Sequence, residues 1–372
     1  MPLSDEDNLR LNVLLAQDLK AVRIDESKMI VYALSSRGDA KVQLNPNCKD
    51  EKYIKQVKEL LSQKIMGSPG GYPIYIKRWT RMGQERREES LAQLLLLGEQ
   101  EAVIAVVHAP QLSPEIAKYA WWSYPSADNA RKLLEKGEIA SSNLGRELAE
   151  FLLEFLPFEI EHIDMIDSVR LCLQPGLLTE DEVNDLWKRA KRKQSLYVGF
   201  LHSMPDALPE FGQRHHLYDE LNTRISSLEV PDNVYASQML RYLSEPGQTF
   251  LKTIQRVLEK AASQDTVVSM FESFVTYNQH LPLSEKKQRS IEEAEALADS
   301  WLKDSSNVLI NDFINLCPEQ YKRVRAMLVL AQMGELTLYP IFGLTDALGS
   351  VMRKKLKPLT DRLEIHLNNL TN

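Results

Sequence analysis

Between residues 20 and 45 apolar and polar side chains alternate: Val22 and Ile24 with Arg23 and Asp25, then Ala40, Val42 and Leu44 with Lys41 and Gln43. A period of two is the pattern of a strand with one buried face. The nearly unbroken apolar run Met29 to Leu34 predicts a strand between these two, and Ser36-Arg37-Gly38-Asp39 predicts the hairpin turn that follows it. Ahead of them, Ser4 to Asp7 offers an N-cap and an acidic first turn before Leu9, Leu11, Val13, Leu14 and Leu15, which predicts a short opening helix. The helical period returns with Tyr53, Ile54, Val57, Leu60, Leu61 and Ile65. Lys52, Lys55, Lys58, Glu59 and Gln63 occupy the opposite face, so this helix is expected to cover one side of the sheet. After the loop Gly67-Ser68-Pro69-Gly70-Gly71, alternation over Pro73 to Trp79 predicts a further strand. Residues 1–82 are thus expected to form a small α/β domain with a short antiparallel or mixed sheet.

From Glu85 onward strand signals nearly vanish, and apolar residues recur every three or four positions between short Pro, Gly, Ser and Asp interruptions. The predicted fold class is therefore mainly α, with the small α/β cap followed by an all-α domain over residues 83–372. Serial helices with short connectors fit a helical-hairpin array of the HEAT or TPR kind. No stretch obeys the TPR consensus period, which leaves an irregular bundle as the competing geometry.

Length supports the division, because 372 residues exceed what a single core usually organises. With 44% hydrophobic and 26% charged residues the chain has the composition of a folded protein, and a net charge of -7 argues against a protein that coats nucleic acid over its whole surface. Cys48, Cys172 and Cys317 form no C-x-x-C pair, so neither a disulfide framework nor a zinc ribbon is signalled. The N-terminus lacks a basic segment followed by an apolar one, and the longest apolar stretches are broken at Gly98 to Glu101, short of the roughly 20 residues that span a bilayer. A cytoplasmic protein without a membrane segment is expected.

Candidate chemistry is sparse. The loop Gly67 to Gly71 lacks the lysine and hydroxyl of a phosphate-binding loop and reads as a helix-to-strand turn. Glu159 and His162 form a single E-x-x-H, whereas a di-iron bundle needs two. With Ile160, Ile163, Ile166 and Val169 taken as a buried stripe, both fall on the polar side of a helix. His215-His216 lacks any metal-binding context and reads as a solvated helix start. No G-x-S-x-G occurs. No catalytic residue, metal or cofactor is therefore predicted, and the expected activity is not enzymatic.

Four features could bind something. Tyr75, Lys77, Trp79 and Arg81 interleave aromatic and basic side chains, the layout that single-stranded nucleic acid uses for stacking and phosphate neutralisation. Lys188 to Lys193 is a basic run, but it closes a helix opened by Glu180, Asp181, Glu182 and Asp185 and so complements the helix dipole. The run Arg353-Lys354-Lys355-Leu356-Lys357 has no such acidic counterpart and is the better anion-binding candidate. Cys48, in a polar loop next to Lys49 and just before a helix, is a candidate reactive thiol.

Several stretches also resemble a known family: Ala21 to Ser27, Gly67 to Pro73, Arg78 to Gly83, Ala120-Trp121-Trp122 and Asp128 to Arg131. Together they resemble the DsrS family, cytoplasmic proteins associated with the dissimilatory sulfite reductase system of sulfur-oxidising bacteria. The resemblance is densest over the first 135 residues or so. It implies an accessory or regulatory role in cytoplasmic sulfur oxidation, and it brings no active-site residues. The expected function is binding of a protein partner through the helical domain. Two alternatives stand beside it: an RNA- or DNA-binding regulator that uses Tyr75, Lys77, Trp79 and Arg81, and a sulfur carrier that uses Cys48.

Overall fold

The computed structural model describes residues 3–72, 88–210, 212–226, 233–283 and 290–372. Helices dominate the described residues, and the sheet found among them is one antiparallel meander near the N-terminus. The mainly α class with a small cap is therefore correct. The chain divides into two compact units, Met1–Phe155 and Leu156–Asn372.

In the first unit, α1 (Asp5–Leu15) is capped by the Ser4 side chain, which accepts from the Asp7 amide. Strands β1 (Leu19–Asp25), β2 (Ile30–Ser35) and β3 (Gly38–Gln43) follow in sequence order, with Val22 opposite Ala33 and Val31 opposite Val42. The period-two positions Val22, Val31, Ala33 and Val42 face the core, where Tyr53, Ile54, Val57 and Leu61 of α2 (Asp50–Met66) meet them. Gly67 ends α2 in the left-handed conformation at φ 68°, which a residue without Cβ adopts readily.

Asp7 is fully buried, and burying a carboxylate without donors is costly. The Tyr53 hydroxyl donates to its Oδ2 at 2.5 Å and the Asn45 amide at 2.7 Å, which ties α1, α2 and the end of the sheet together. Removing one of these donors with Tyr53→Phe is expected to cost about 1–3 kcal/mol of stability in urea denaturation. A cost near zero would show that Asp7 does not depend on that hydroxyl.

The first unit continues well past the cap. The Val22 amide donates to the Leu95 carbonyl at 2.9 Å, and the helix Pro114–Ser123 packs on β1. Helices Gln100–Val107, Ala127–Leu134 and Asn143–Phe155 complete it. The boundary expected at residue 82, and the strand expected over Pro73 to Trp79, lie outside the described residues. The helices to Phe155 share a compact unit with the sheet because β1 supplies their docking edge.

The second unit is built around the helix Gln194–Ser203, in which Ser195 to Leu201 are all buried. A helix apolar all round must be enclosed by others. Here His162–Cys172, Glu245–Lys260 and Gln264–Tyr277 enclose it. A Cβ on Gly199 would lie 2.6 Å from Val169, so only glycine allows this crossing. The last helix, Gly349–Thr371, packs on Glu245–Lys260, Ile291–Lys303 and Tyr321–Leu330, and Gln248 Nε2 donates to the Leu370 carbonyl at 2.8 Å. In a helical-hairpin array each repeat touches only its neighbours. These non-neighbour contacts make the unit an irregular bundle.

Two expectations are corrected here. Glu159 is buried and precedes the helix, which begins at His162, while Ile160 is 83% exposed. The buried stripe of that helix is Met165, Ile166, Val169 and Cys172, and Ile160 falls outside it because it stands ahead of the N-cap Glu161, where no helical period applies. His215 is buried as well, with its amide donating to Leu243 and its ring stacked on His216, so it is no solvated helix start.

Candidate functional site

The second unit carries a concentrated patch of exposed apolar side chains. The helix Glu335–Phe342, which contains Pro340, buries Thr337 and Leu338 and leaves Leu336 and Tyr339 outside. After it come Leu344, 86% exposed, and the exposed Leu348 and Val351. The loop that presents them is held in place. Gln264 Nε2 donates to the Thr345 carbonyl at 2.6 Å, and the Gly349 amide donates to the Ala262 carbonyl at 2.9 Å. Apolar side chains are thus displayed on a fixed backbone, the arrangement that marks an interaction site.

Next to the patch, the first turns of Gly349–Thr371 carry Arg353, Lys354, Lys355 and Lys357, with no acidic residue before Asp361. Cations near a helix N-terminus oppose its dipole, so they do not serve the helix. Arg353 donates to the Ala261 carbonyl at 2.7 Å and Lys355 to Thr345 Oγ1 at 2.5 Å, whereas Lys354 and Lys357 make no ion pair among the described residues. The other basic run is explained locally. Thr179 and Glu182 form a capping box, Asp185 pairs with Lys188 at 2.7 Å, and the helix ends at Ala190.

In the first unit, β1, the segment Gly98 to Gln100 and the end of the helix Pro114–Ser123 meet around a cleft of about 540 Å³. The Arg23 guanidinium of β1 lies over the Tyr32 ring at 4.9 Å and the Trp122 ring at 5.1 Å, and its Nη1 donates to the Trp122 carbonyl at 3.4 Å. Across the cleft Glu99 is half-buried, and burial pushes its carboxyl above the ordinary range. The Tyr72 amide donates to Glu99 Oε2 at 3.2 Å. Gly71, at φ +60°, is shaped for this carboxylate, since a Cβ there would stand 2.3 Å from Glu99 Oε1. Ser62 holds the loop by accepting from the Gly71 amide at 2.8 Å. The stretch Asp128 to Arg131 plays a supporting part: Arg131 pairs with Asp128, and Asn129 donates to the Tyr124 carbonyl beside the cleft at 2.8 Å.

Tyr75, Lys77, Trp79 and Arg81 lie outside the described residues. Cys48 is half-buried at the edge of the sheet core, with its Sγ 3.7 Å from the Lys49 carbonyl, one residue ahead of the N-cap of α2. Burial pushes the Cys172 thiol up to about 12 and raises that of Cys317, so both are held as thiols. Among the described residues no group of three His, Cys, Asp or Glu side chains could hold a metal ion, and no helix is long and apolar enough to cross a membrane. Arg23 and Glu99 carry no sequence signal of pairing. The one trace of Glu99 is the glycine before it, Gly98, which adopts φ +66° against Ile24.

Fold and sites among the described residues define a mainly α protein with a three-stranded cap, an exposed apolar and basic face on the second unit, and a charged cleft in the first. No family model matches this chain, and no curated protein or solved structure matches it significantly.

Proposed function

We propose that this is a non-enzymatic accessory protein that docks a protein partner through its helical unit, in the cytoplasmic oxidation of sulfur. The observation that carries the docking reading is the fixed, exposed set Leu336, Tyr339, Leu344, Leu348 and Val351 beside Lys354 and Lys357. The matching occupant is a partner segment with apolar side chains ringed by carboxylates. Apolar burial supplies affinity, while the lysines steer approach and fix register. The process rests on the family resemblance of the N-terminal stretches, which makes dissimilatory sulfite reductase the first partner to test.

Binding of the purified reductase to the full chain is measured by surface plasmon resonance, beside the double variant Leu344→Ser, Leu348→Ser. Both side chains are exposed, so folding is preserved, and affinity is expected to fall about tenfold or more. Lys354→Glu with Lys357→Glu is expected to slow association most at low salt. A wild-type chain that fails to bind removes the reductase as partner. Equal affinity of the serine variant removes this face.

A further inference from the structure

The cleft of the first unit holds two charges that have no opposite charge at ion-pair distance among the described residues. Of its acidic residues, Asp25 is engaged by Lys28 at 3.3 Å and Glu26 by Lys58 at 2.7 Å. Glu99 has the Tyr72 amide as its donor and no cation within ion-pair distance among the described residues. Arg23 has the Trp122 carbonyl as its acceptor and, among the described residues, no carboxylate within that distance. Both side chains line the same cleft without pairing with each other. A partly desolvated charge without a counter-charge is costly, and two opposite ones in one cleft await something that meets both.

We infer that this cleft binds a short zwitterion, an α-amino acid or small peptide, whose carboxylate is received by Arg23 and whose ammonium lies against Glu99. The guanidinium is pre-oriented for that task. Tyr32 and Trp122 fix its plane, and the single hydrogen bond to Trp122 leaves its remaining N–H groups without a protein acceptor among the described residues. A planar fork of this kind matches a carboxylate with two parallel hydrogen bonds. Phosphate fits the fork equally well, but three carboxylates line the cleft and would repel a dianion. A volume of about 540 Å³ falls in the usual range of small-molecule sites. Val103 and Pro125 add apolar wall that suits a short side chain. Gly71 serves the same end by letting the loop close on Glu99 without displacing its carboxylate.

Isothermal titration calorimetry on the full chain separates the components, with glycine, L-alanine, glycylglycine and triglycine as zwitterions, and propionate and ethylamine as the two half-ligands. At least one zwitterion is expected to bind about tenfold or more tighter than propionate and ethylamine. The free amino acids and the peptides distinguish the two sources of the same chemistry. Glu99→Gln keeps an acceptor for the Tyr72 amide and the shape of the side chain, and is expected to weaken the zwitterion about tenfold while leaving propionate unchanged or tighter. Arg23→Gln is expected to weaken zwitterion and propionate alike, with circular dichroism and the thermal midpoint as folding controls. For the wild type, affinity is expected to fall as pH is lowered and Glu99 takes up its proton. Propionate binding as tightly as the best zwitterion, equal zwitterion affinity in Glu99→Gln, or no heat from any probe at 10 mM, about the weakest binding the method registers, each overturns the assignment.

Discussion

Replacing Phe250 by alanine is expected to lower the stability of the helical unit by about 3–5 kcal/mol, the range for emptying a fully buried aromatic site. Phe250 is 0% exposed, stacks on Tyr277 at 4.0 Å between ring centroids, and meets Phe274 edge-on. Its helix, Glu245–Lys260, packs against Gln194–Ser203, Val234–Leu243, Gln264–Tyr277 and Gly349–Thr371. A helix held by four others cannot shift far to fill the space left by one ring, so the cavity persists and its cost is added to the lost transfer energy. Pulse proteolysis in urea, followed through peptides of residues 156–372 by mass spectrometry, measures the effect. A loss below about 1 kcal/mol would mean that the core repacks freely around the missing ring.

Acid is expected to weaken the same unit before it reaches most carboxylates. Burial lowers the pKa values of His202, His215 and His366 from the ordinary 6.5. The nearby charges differ. Glu272 and Asp167 oppose the shift of His202 while Arg170 reinforces it; Arg323 and His216 reinforce that of His215; and His366 lies between Glu295 and the cations Arg325 and Arg362. A group whose folded pKa is depressed binds more protons when unfolded. Stability is therefore complete above about pH 6.5 and is lost as pH falls below it. Each histidine contributes a slope of up to about 1.4 kcal/mol per pH unit between its two pKa values, or up to about 4 kcal/mol per unit for three together. Glu295 and Asp299 are held below their ordinary values, Glu295 by His366 and Arg362 against its burial and Asp299 chiefly by Arg325, so their contributions go at lower pH. The urea midpoint of peptides from 156–372 should drop steadily from pH 7.5 to 5, and His366→Gln should flatten the fall. A flat profile over that range would show that these histidines protonate equally well in both states.

The elements legible in the sequence are those specified by short-range periodicity. Alternation from Val22 to Leu44 placed the three strands, the stripe from Tyr53 to Leu61 placed α2, and the acidic residues Glu180, Asp181 and Glu182 ahead of the Lys188 to Lys193 run marked a helix with charges that match its dipole. The phase of Ile160 was not legible, because the helix whose period it shares begins only at His162, after the N-cap Glu161, and leaves Ile160 in the connecting segment. The exposed face was half legible: the Arg353 to Lys357 run stands out without its acids, but nothing local says that Leu344 and Leu348 stay outside. The cleft was not legible at all. Arg23 and Glu99 lie on separate elements, and the bond from the Val22 amide to Leu95 with the close approach of Gly98 to Ile24 brings them to one cleft. Residues 21–27 and 120–122 had been joined only through a likeness of stretches, with no hint that one places a guanidinium on the aromatic ring of the other.

The long reach of the helix Gly349–Thr371 also sets an order of events during synthesis. Its buried side chains, from Met352 to Leu370, fill space between helices that leave the ribosome more than a hundred residues earlier in the case of Gln248. Until those residues have been made, the core of the helical unit lacks one wall and its apolar surfaces stand open to solvent and to chaperones. Residues 1–155 form a compact unit of their own and can close while translation continues. A nascent chain stalled near residue 340 would therefore carry a folded cap on an unfinished bundle.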